Sequence, residues 1–252
     1  MLLGAEERRA LVADGYVVLP AVVPREQALA ALAAINASLG EDGIPKDELA
    51  RMRAQTFCPD LVSAPPILEL FRGTALAEIA EAALGTGKVR APTAAQIALR
   101  FPSPRAPRKE PRPHIDGMPQ AQNGVAPGTI YHFTALAGVF LSDASEPDEG
   151  NFTVWPGTHR ALADHFAAHG TDELLERFPP IALPPPRQLT VRAGDAVLAH
   201  YLLAHSVAPN LGPHIRYAVF FRLFHEDHDP ASNAAMVDLW HEWEGLGIAG
   251  GG

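Results

Sequence analysis

Apolar residues follow two different rhythms along this chain. In the first ninety or so residues the spacing is helical. Glu6–Asp14 reads as a short helix. Arg25–Leu39, rich in Ala and Leu, reads as a longer one with Leu29, Leu32, Ile35 and Leu39 on one face. Thr74–Leu84 reads as another, with Thr74 placed to cap its N-terminus and Gly85 just past its end. Between the first two helices, Tyr16-Val17-Val18-Leu19 reads as a strand stopped by Pro20. From Thr93 the rhythm changes to period two. In Thr93–Phe101, Ile97, Leu99 and Phe101 share one face, and Gln96, Ala98 and Arg100 the other. Thr129–Leu141, Asn151–Trp155, Gln188–Arg192, Ala196–His200 and Tyr217–Phe224 follow as strands. Leu162–Ala168 and Thr171–Phe178 read as short inserted helices. Ser232–Leu246 reads as a closing helix with Met236, Leu239, Trp240 and Trp243 as its stripe.

Helices followed by strands that do not alternate with helices predict an α+β fold, mainly β. The expected core is an antiparallel sandwich or barrel with the helices packed outside it. We expect one domain over 1–252: a helical part to about 90, a strand core to about 225 and a closing helix at about 232–246. The 21 glycines and 24 prolines crowd the middle and last thirds, favouring short strands and turns over a helix bundle. Pro104–Pro113, rich in Pro and Arg, reads as a loop, and Gly250–Gly252 as a frayed end. The net charge of -9 argues against a nucleic-acid partner, which needs a basic surface. The single cysteine, Cys58, excludes a disulfide framework and a cysteine zinc site, and points to a reducing cytoplasm. The N-terminus lacks the pattern of a signal peptide, and no apolar run reaches the roughly 18 residues of a membrane span, so no membrane partner is expected. Monomer and homo-oligomer remain equally open at this point.

The candidate chemistry begins at His114-Ile115-Asp116. On an extended strand residues i and i+2 point to the same side, so this imidazole and carboxylate can share one metal. A second histidine would complete a facial triad, the arrangement of non-haem iron(II) oxygenases. Taken alone the motif is weak, because His225-Glu226-Asp227 matches it too. What raises the first match is the later run from Gly194 to Asn210, GDAVLAHYLLAHSVAPN, followed by Arg216. Gly194-Asp195 reads as a hairpin turn. His205 reads as the third ligand at a strand end, and Arg216 opens the next strand. A guanidinium at that distance suits a dicarboxylate cosubstrate, chelating iron at one end and pairing with arginine at the other.

These segments resemble the phytanoyl-CoA dioxygenase-like family of iron(II)/2-oxoglutarate oxygenases. The resemblance runs from Gly15-Tyr16-Val17-Val18-Leu19-Pro20, through Gly150–Arg160 (GNFTVWPGTHR), to about Phe224. It implies a double-stranded β-helix, that is a cupin-like jelly-roll core, with iron(II) at its mouth held by His114, Asp116 and His205. It also implies 2-oxoglutarate and dioxygen as cosubstrates, ascorbate as a reductant in vitro, and a small-molecule substrate oxidised, usually hydroxylated, with release of succinate and carbon dioxide. The carboxylate at Asp116 argues against a halogenase, in which a small residue there leaves room for chloride. The chain departs from the family pattern at Gly117–Gly124, which is neutral where an acid-rich stretch is common. It also departs at Glu149-Gly150 in place of Asn-Gly, and at small Ala137 and Gly138.

Other residues are secondary candidates. Gln96, Thr153 and Thr134 are expected to touch 2-oxoglutarate, and His132 and Arg100 to touch substrate. Arg222 shares the parity of Arg216 on its strand, but lies six residues further on. His200 is the rival third ligand, disfavoured because five residues from His205 place it on the opposite side of a straight strand. His225, His228 and their acidic neighbours read as a solvated turn. His159, His165, His169 and His241 read as surface or structural, and Trp155, Trp240 and Trp243 as packing. Arg105, Arg108, Lys109 and Arg112 could meet an anion or stay solvated. Gly117–Gly128 reads as a lid over the substrate. Two further readings of the same scaffold stand beside the oxygenase: a cupin-type metal enzyme that does not use 2-oxoglutarate, and a non-catalytic ligand-binding jelly roll. Arg216 discriminates against the first, the intact ligand set against the second.

Overall fold

A computed structural model describes residues 3–103 and 110–248. Its helices are α1 (Ala5–Asp14), α2 (Arg25–Asp42), α3 (Leu49–Ala54), α4 (Pro65–Arg72), α5 (Ala75–Leu84), α6 (Thr158–His169) and α7 (Ala234–Val237). Its strands are β1 (Tyr16–Leu19), β2 (Gln96–Arg100), β3 (Ala135–Phe140), β4 (Phe152–Val154), β5 (Arg187–Gln188), β6 (Ala196–His200), β7 (His205–Val207) and β8 (Arg216–Leu223). Five strands pair antiparallel in the order β1-β6-β3-β8-β2, and three in the order β5-β4-β7. This is the jelly-roll expectation realised as two sheets. Among the described residues no helix is long and apolar enough to cross a membrane.

Strand parity divides the core in two. On β8, Val219, Phe221 and Leu223 pack with Ile97 and Leu99 of β2 against α2, α4 and α5. Ala218 and Phe220 face the other way and join Phe152 and Val154 of β4 in the space between the sheets. Gly138 of β3 sits opposite Phe220, and a Cβ there would lie 2.6 Å from that ring. The small residue therefore makes room for a large one on the neighbouring strand.

Several elements differ from expectation for identifiable reasons. On α2 the buried positions are Ala28, Ala31, Ile35 and Ser38, and Leu29 is 50% exposed. Of the expected face, Ile35 is buried and Leu39 packs against the core, so only its N-terminal end at Leu29 turns outward, where the small Ala28 and Ala31 take the contact instead. The closing helix over Ser232–Leu246 does not form. It breaks into α7 and a single 3-10 turn at Glu244–Leu246. Met236 fills the space between the sheets while Trp243 fills the core beneath the helices, and one straight helix cannot serve both. The strand expected over Thr129–Leu141 is confined to β3, and that over Gln188–Arg192 shrinks to β5 and a bridge at Val191. Thr171–Phe178 holds one 3-10 turn, Asp172–Leu175. Helices α3 and α4 were not among the expected elements, although Ile67, Leu68, Leu70 and Phe71 form one buried face of α4 and Pro65 at its start suits a first helical position, where no N–H is needed.

The three sequence segments that carry the family resemblance meet at one joint. His200 N–H donates to the Gly15 carbonyl at 2.8 Å, and Gly157 N–H to that of Asp14 at 2.9 Å. Ala204 N–H donates to the Thr158 hydroxyl at 2.9 Å. Gly15 lies under the buried His159 ring with φ +83°, and an added Cβ would come within 2.6 Å of Nδ1. Gly15→Ala combines a left-handed backbone with this clash. It should lower unfolding stability by about 1–3 kcal/mol, read as an earlier denaturant midpoint. An unchanged midpoint would mean that the joint is soft.

Candidate metal centre

His114 and His205 are held together by backbone. His114 N–H donates to the His205 carbonyl at 3.0 Å, and His205 N–H returns a bond to the His114 carbonyl at 2.9 Å. This antiparallel bridge brings the imidazoles to 4.6 Å between ring centres. The His205 Nδ1 lies 2.9 Å from the Leu203 carbonyl. A carbonyl only accepts, so Nδ1 carries the proton and the Nε2 lone pair is free to ligate. Nε2 of His205 lies 3.5 Å from Asp116 Oδ1, and Nε2 of His114 lies 3.9 Å from the same oxygen. The three donor atoms lie within 4.8 Å of one another, and two imidazoles with one carboxylate form the donor set expected of a facial triad.

The other carboxylate oxygen is held from behind. Nε and Nη2 of Arg222 donate to Asp116 Oδ2 at 3.1 and 2.9 Å. Burial alone would push the Asp116 carboxyl up, but the Arg222 guanidinium, helped by His205, holds it well below the usual carboxylate range. Asp116 is therefore ionised, with Oδ1 turned toward the histidines. Arg222 also reaches Gln96 Oε1 at 3.4 Å. The next residue, Gly117, has φ +85°, and any Cβ would strike the Tyr131 carbonyl at 1.7 Å. Glycine is required there to turn the chain away from the ligand.

The triad opens into a cavity of about 1000 Å³. Its walls include Gln96 and Arg100 of β2, Phe152 of β4, Arg216, Phe220 and Arg222 of β8, and much of the Gly117–Gly128 segment. Arg216 is 2% exposed. Its Nε donates to the Gly150 carbonyl at 2.8 Å and its Nη1 to that of Ala98 at 3.0 Å, while Nη2 is buried and unpartnered. Burial, with Arg100 next to it, pushes this guanidinium down to about 9. Gly150, at φ +76°, is the surface against which both arginine stems rest. A Cβ would lie 3.0 Å from that of Arg100 and 3.2 Å from that of Arg216.

Three expected site residues lie elsewhere. Thr153 is buried on the face of β4 opposite Phe152, and its hydroxyl bonds the Asn151 carbonyl. Thr134 donates to the Glu242 carboxylate and accepts from His225 N–H at 2.9 Å, away from the cavity. His132 packs against His228 and Tyr201 and is not among the residues that line the cavity. These three are corrections to the cosubstrate and substrate assignments. Each sits where strand parity, or the turn before β3, points a polar group into a structural cluster. His200 is excluded as a ligand because both ring nitrogens are occupied: Nδ1 accepts from Leu202 N–H, and Nε2 donates to the Leu239 carbonyl. His225 and His228 are not solvated but 1% and 3% exposed, closing a buried network around Glu242. His225, Asp227 and Glu244 also approach one another within 4.8 Å. There, however, Nδ1 of His225 accepts a backbone N–H and Lys88 pairs with Asp227 at 2.8 Å, a poor ligand arrangement. Arg105, Arg108, Lys109 and Gly250–Gly252 lie outside the described residues. Sequence reasoning missed the role of Arg222. Its parity placed it inside, but nothing in the spacing said that Asp116 would meet it.

Comparison with known proteins adds a family and a fold. The phytanoyl-CoA dioxygenase family model matches residues 11–218. No curated protein matches the chain. Among solved structures, the non-haem α-ketoglutarate-dependent carbocyclase SnoK from nogalamycin biosynthesis is similar at 21% identity and TM-score 0.58, over 89% of this chain and 84% of that one. HygX from Streptomyces hygroscopicus, with nickel and 2-oxoglutarate bound, is similar at 19% identity and TM-score 0.57, over 88% and 86%. EctD from S. alaskensis in its apoform is similar at 18% identity and TM-score 0.54, over 86% and 75%. At these identities the likeness is one of fold.

The geometry separates ligand from support. His205→Ala should abolish tight iron(II) binding, and Arg222→Leu should weaken it about 10–100-fold by freeing the carboxylate it orients. His200→Ala should leave it intact. Metal titration of the three variants checks this, and loss of binding in His200→Ala with retention in His205→Ala would reverse the assignment.

Proposed function

The chain belongs to the phytanoyl-CoA dioxygenase family, and from that premise we propose that it is an iron(II)- and 2-oxoglutarate-dependent dioxygenase that hydroxylates a small molecule. The observation that carries the reading is the meeting of two features in one cavity. One is the His114, Asp116 and His205 donor set; the other is a buried arginine, Arg216, with an unused donor. His114, Asp116 and His205 would hold the iron, and Arg216 the far carboxylate of 2-oxoglutarate. Bound together, iron(II), 2-oxoglutarate and dioxygen supply oxidative decarboxylation to succinate and carbon dioxide, and with it an oxidant able to attack a C–H bond.

The chain's own residues bind, orient and exclude. Two bonds to backbone carbonyls lock the Arg216 fork, so little side-chain freedom is lost when a carboxylate pairs with Nη2. Arg222 is spoken for by Asp116, which supports Arg216 as the cosubstrate anchor. Gln96 stays a candidate second contact, since its amide lines the cavity beside Arg222. The Asp116 carboxylate itself speaks for hydroxylation over halogenation. A cupin-type enzyme without 2-oxoglutarate has no need of a buried guanidinium here. The cytoplasm is the proposed setting, supported by Cys58, which is buried and free.

With iron(II) and ascorbate, the protein should form succinate from 2-oxoglutarate. Arg216→Leu should raise the apparent 2-oxoglutarate constant by roughly two orders of magnitude, the scale of breaking a buried charge pair, while iron binding survives. An unchanged constant would remove Arg216 from the site. We further propose that Gly117–Gly128 closes over bound substrate and keeps water from the reacting centre. Limited proteolysis in this segment should slow when iron, 2-oxoglutarate and substrate are all present. Equal protection in the free protein counts against closure.

A further inference from the structure

Among the described residues, the cavity that holds the triad is lined by five arginines and one carboxylate. The arginines are Arg53, Arg90, Arg100, Arg216 and Arg222, and the carboxylate is Asp116. Such an excess of one sign around a partly buried space is costly unless a ligand relieves it. Three of the five are accounted for. Arg222 pairs with Asp116. Arg90 donates to the backbone carbonyls of Glu226 and His228 and lies 3.9 Å from the Glu226 carboxylate. Arg216 takes the far carboxylate of 2-oxoglutarate in the reading above.

Arg100 and Arg53 remain. Neither makes a side-chain hydrogen bond or ion pair among the described residues, and both face the cavity. Arg100 is directly opposite Arg216 across the β2–β8 ladder, a like-charge pair that destabilises a sheet when nothing compensates it. Burial and the nearby Arg53 both depress the Arg100 guanidinium, so Arg53 adds to the same positive field from α3.

An iron(II) ion, the Asp116 carboxylate and doubly charged 2-oxoglutarate nearly cancel, and Arg222 and Arg216 then tip the balance positive. Arg100 and Arg53 remain as uncompensated cations even after the cosubstrate is bound. The cavity, at about 1000 Å³, is larger than a five-carbon diacid needs, so a second ligand fits beside it.

We propose that Arg53 and Arg100 form an oxyanion subsite, and that the substrate of this enzyme carries a carboxylate or phosphate group seated between them. Arg100 supplies the half-buried part of the grip, mounted on a strand. Arg53 is exposed on α3 and supplies the mouth of the subsite. The anion holds the substrate by a group remote from the reacting carbon, so the rest of the molecule extends along Phe152 and Phe220 toward the triad. This inference rests on the proposed function for the identity of the cosubstrate.

The test uses the full chain loaded with redox-inert nickel(II) and saturating 2-oxoglutarate. Inorganic phosphate and butyrate are then titrated separately by calorimetry at constant ionic strength. Wild type should bind at least one of them. R53Q and R100Q should each weaken that binding by about tenfold or more, and R100K should recover part of the loss. Arg53 is on the surface, so R53Q reports even if R100Q folds poorly. Tighter phosphate than butyrate marks a phosphorylated substrate, and the reverse a carboxylate. Binding of neither probe to wild type, or unchanged affinity in either glutamine variant, overturns the subsite. So does an R100Q that loses 2-oxoglutarate as severely as Arg216→Leu, because Arg100 would then belong to the cosubstrate anchor. Nickel and 2-oxoglutarate binding to wild type are read in the preceding titrations, so their failure would strike the proposed function and not the subsite.

Discussion

A single antiparallel bridge between His114 and His205 is the contact on which the site depends. Its two backbone bonds, 3.0 and 2.9 Å, join the segment before the Gly117–Gly128 loop to the first residue of β7. Without it the two imidazoles, ninety-one residues apart in the chain, have no reason to face each other. With it their separation is set by backbone geometry, and side-chain freedom contributes little. Asp116 follows two residues on, where the chain begins to turn, and Ile115 between the two ligands is buried in the core. Arg222 arrives from β8, whose register against β3 and β2 fixes its height in the cavity. Three separate stretches of chain thus deliver four side chains to one point through sheet pairing.

The arrangement separates two jobs that one carboxylate might otherwise confuse. Asp116 has Oδ1 near both histidines and Oδ2 bound by Arg222. An unsupported buried carboxylate would rise in pKa or rotate, and the guanidinium prevents both. Arg216 is treated in the opposite way. Its Nε and Nη1 are pinned to carbonyls, which carry no full charge, and Nη2 is left without a partner. Burying a guanidinium with no anion is unfavourable, which supports the proposed role of Arg216 as an anion anchor. Gly150 makes this possible, because its missing side chain is where the stems of Arg100 and Arg216 pass.

Much of this layout could be read from the residues, and the exceptions have physical causes. Period-two alternation on β8 separated Val219, Phe221 and Leu223 from Phe220 and Arg222, because one face meets helices and the other the cavity. Capping at Thr74 was local chemistry and so was visible: its hydroxyl accepts from Leu76 N–H. Thr153 lies off the cavity, because β4 belongs to the smaller sheet and turns Phe152, not Thr153, toward it. Thr134 and His132 precede β3 in a stretch that is not strand, where alternation says nothing. The Glu242 network was invisible for a related reason. Its members, Thr134, His228 and Glu242, come from distant segments, and only the folded chain shows that their polar groups satisfy one another. The closing segment looked helical by its stripe, yet Met236 and Trp243 serve different cores. Periodicity detects a face; it does not detect which of two interiors that face must meet.

The central claim is that metal and cosubstrate occupy one site, chelated together at the triad and anchored by the same cavity's arginine. Its most direct measurement is the dependence of 2-oxoglutarate binding on iron, followed anaerobically by calorimetry with the wild-type chain. The account predicts one 2-oxoglutarate per chain, bound far more tightly with iron(II) present than without it, and iron bound more tightly in turn when 2-oxoglutarate is present, as linkage requires. Binding of 2-oxoglutarate that is indifferent to iron, or iron binding with no response to 2-oxoglutarate, would contradict it.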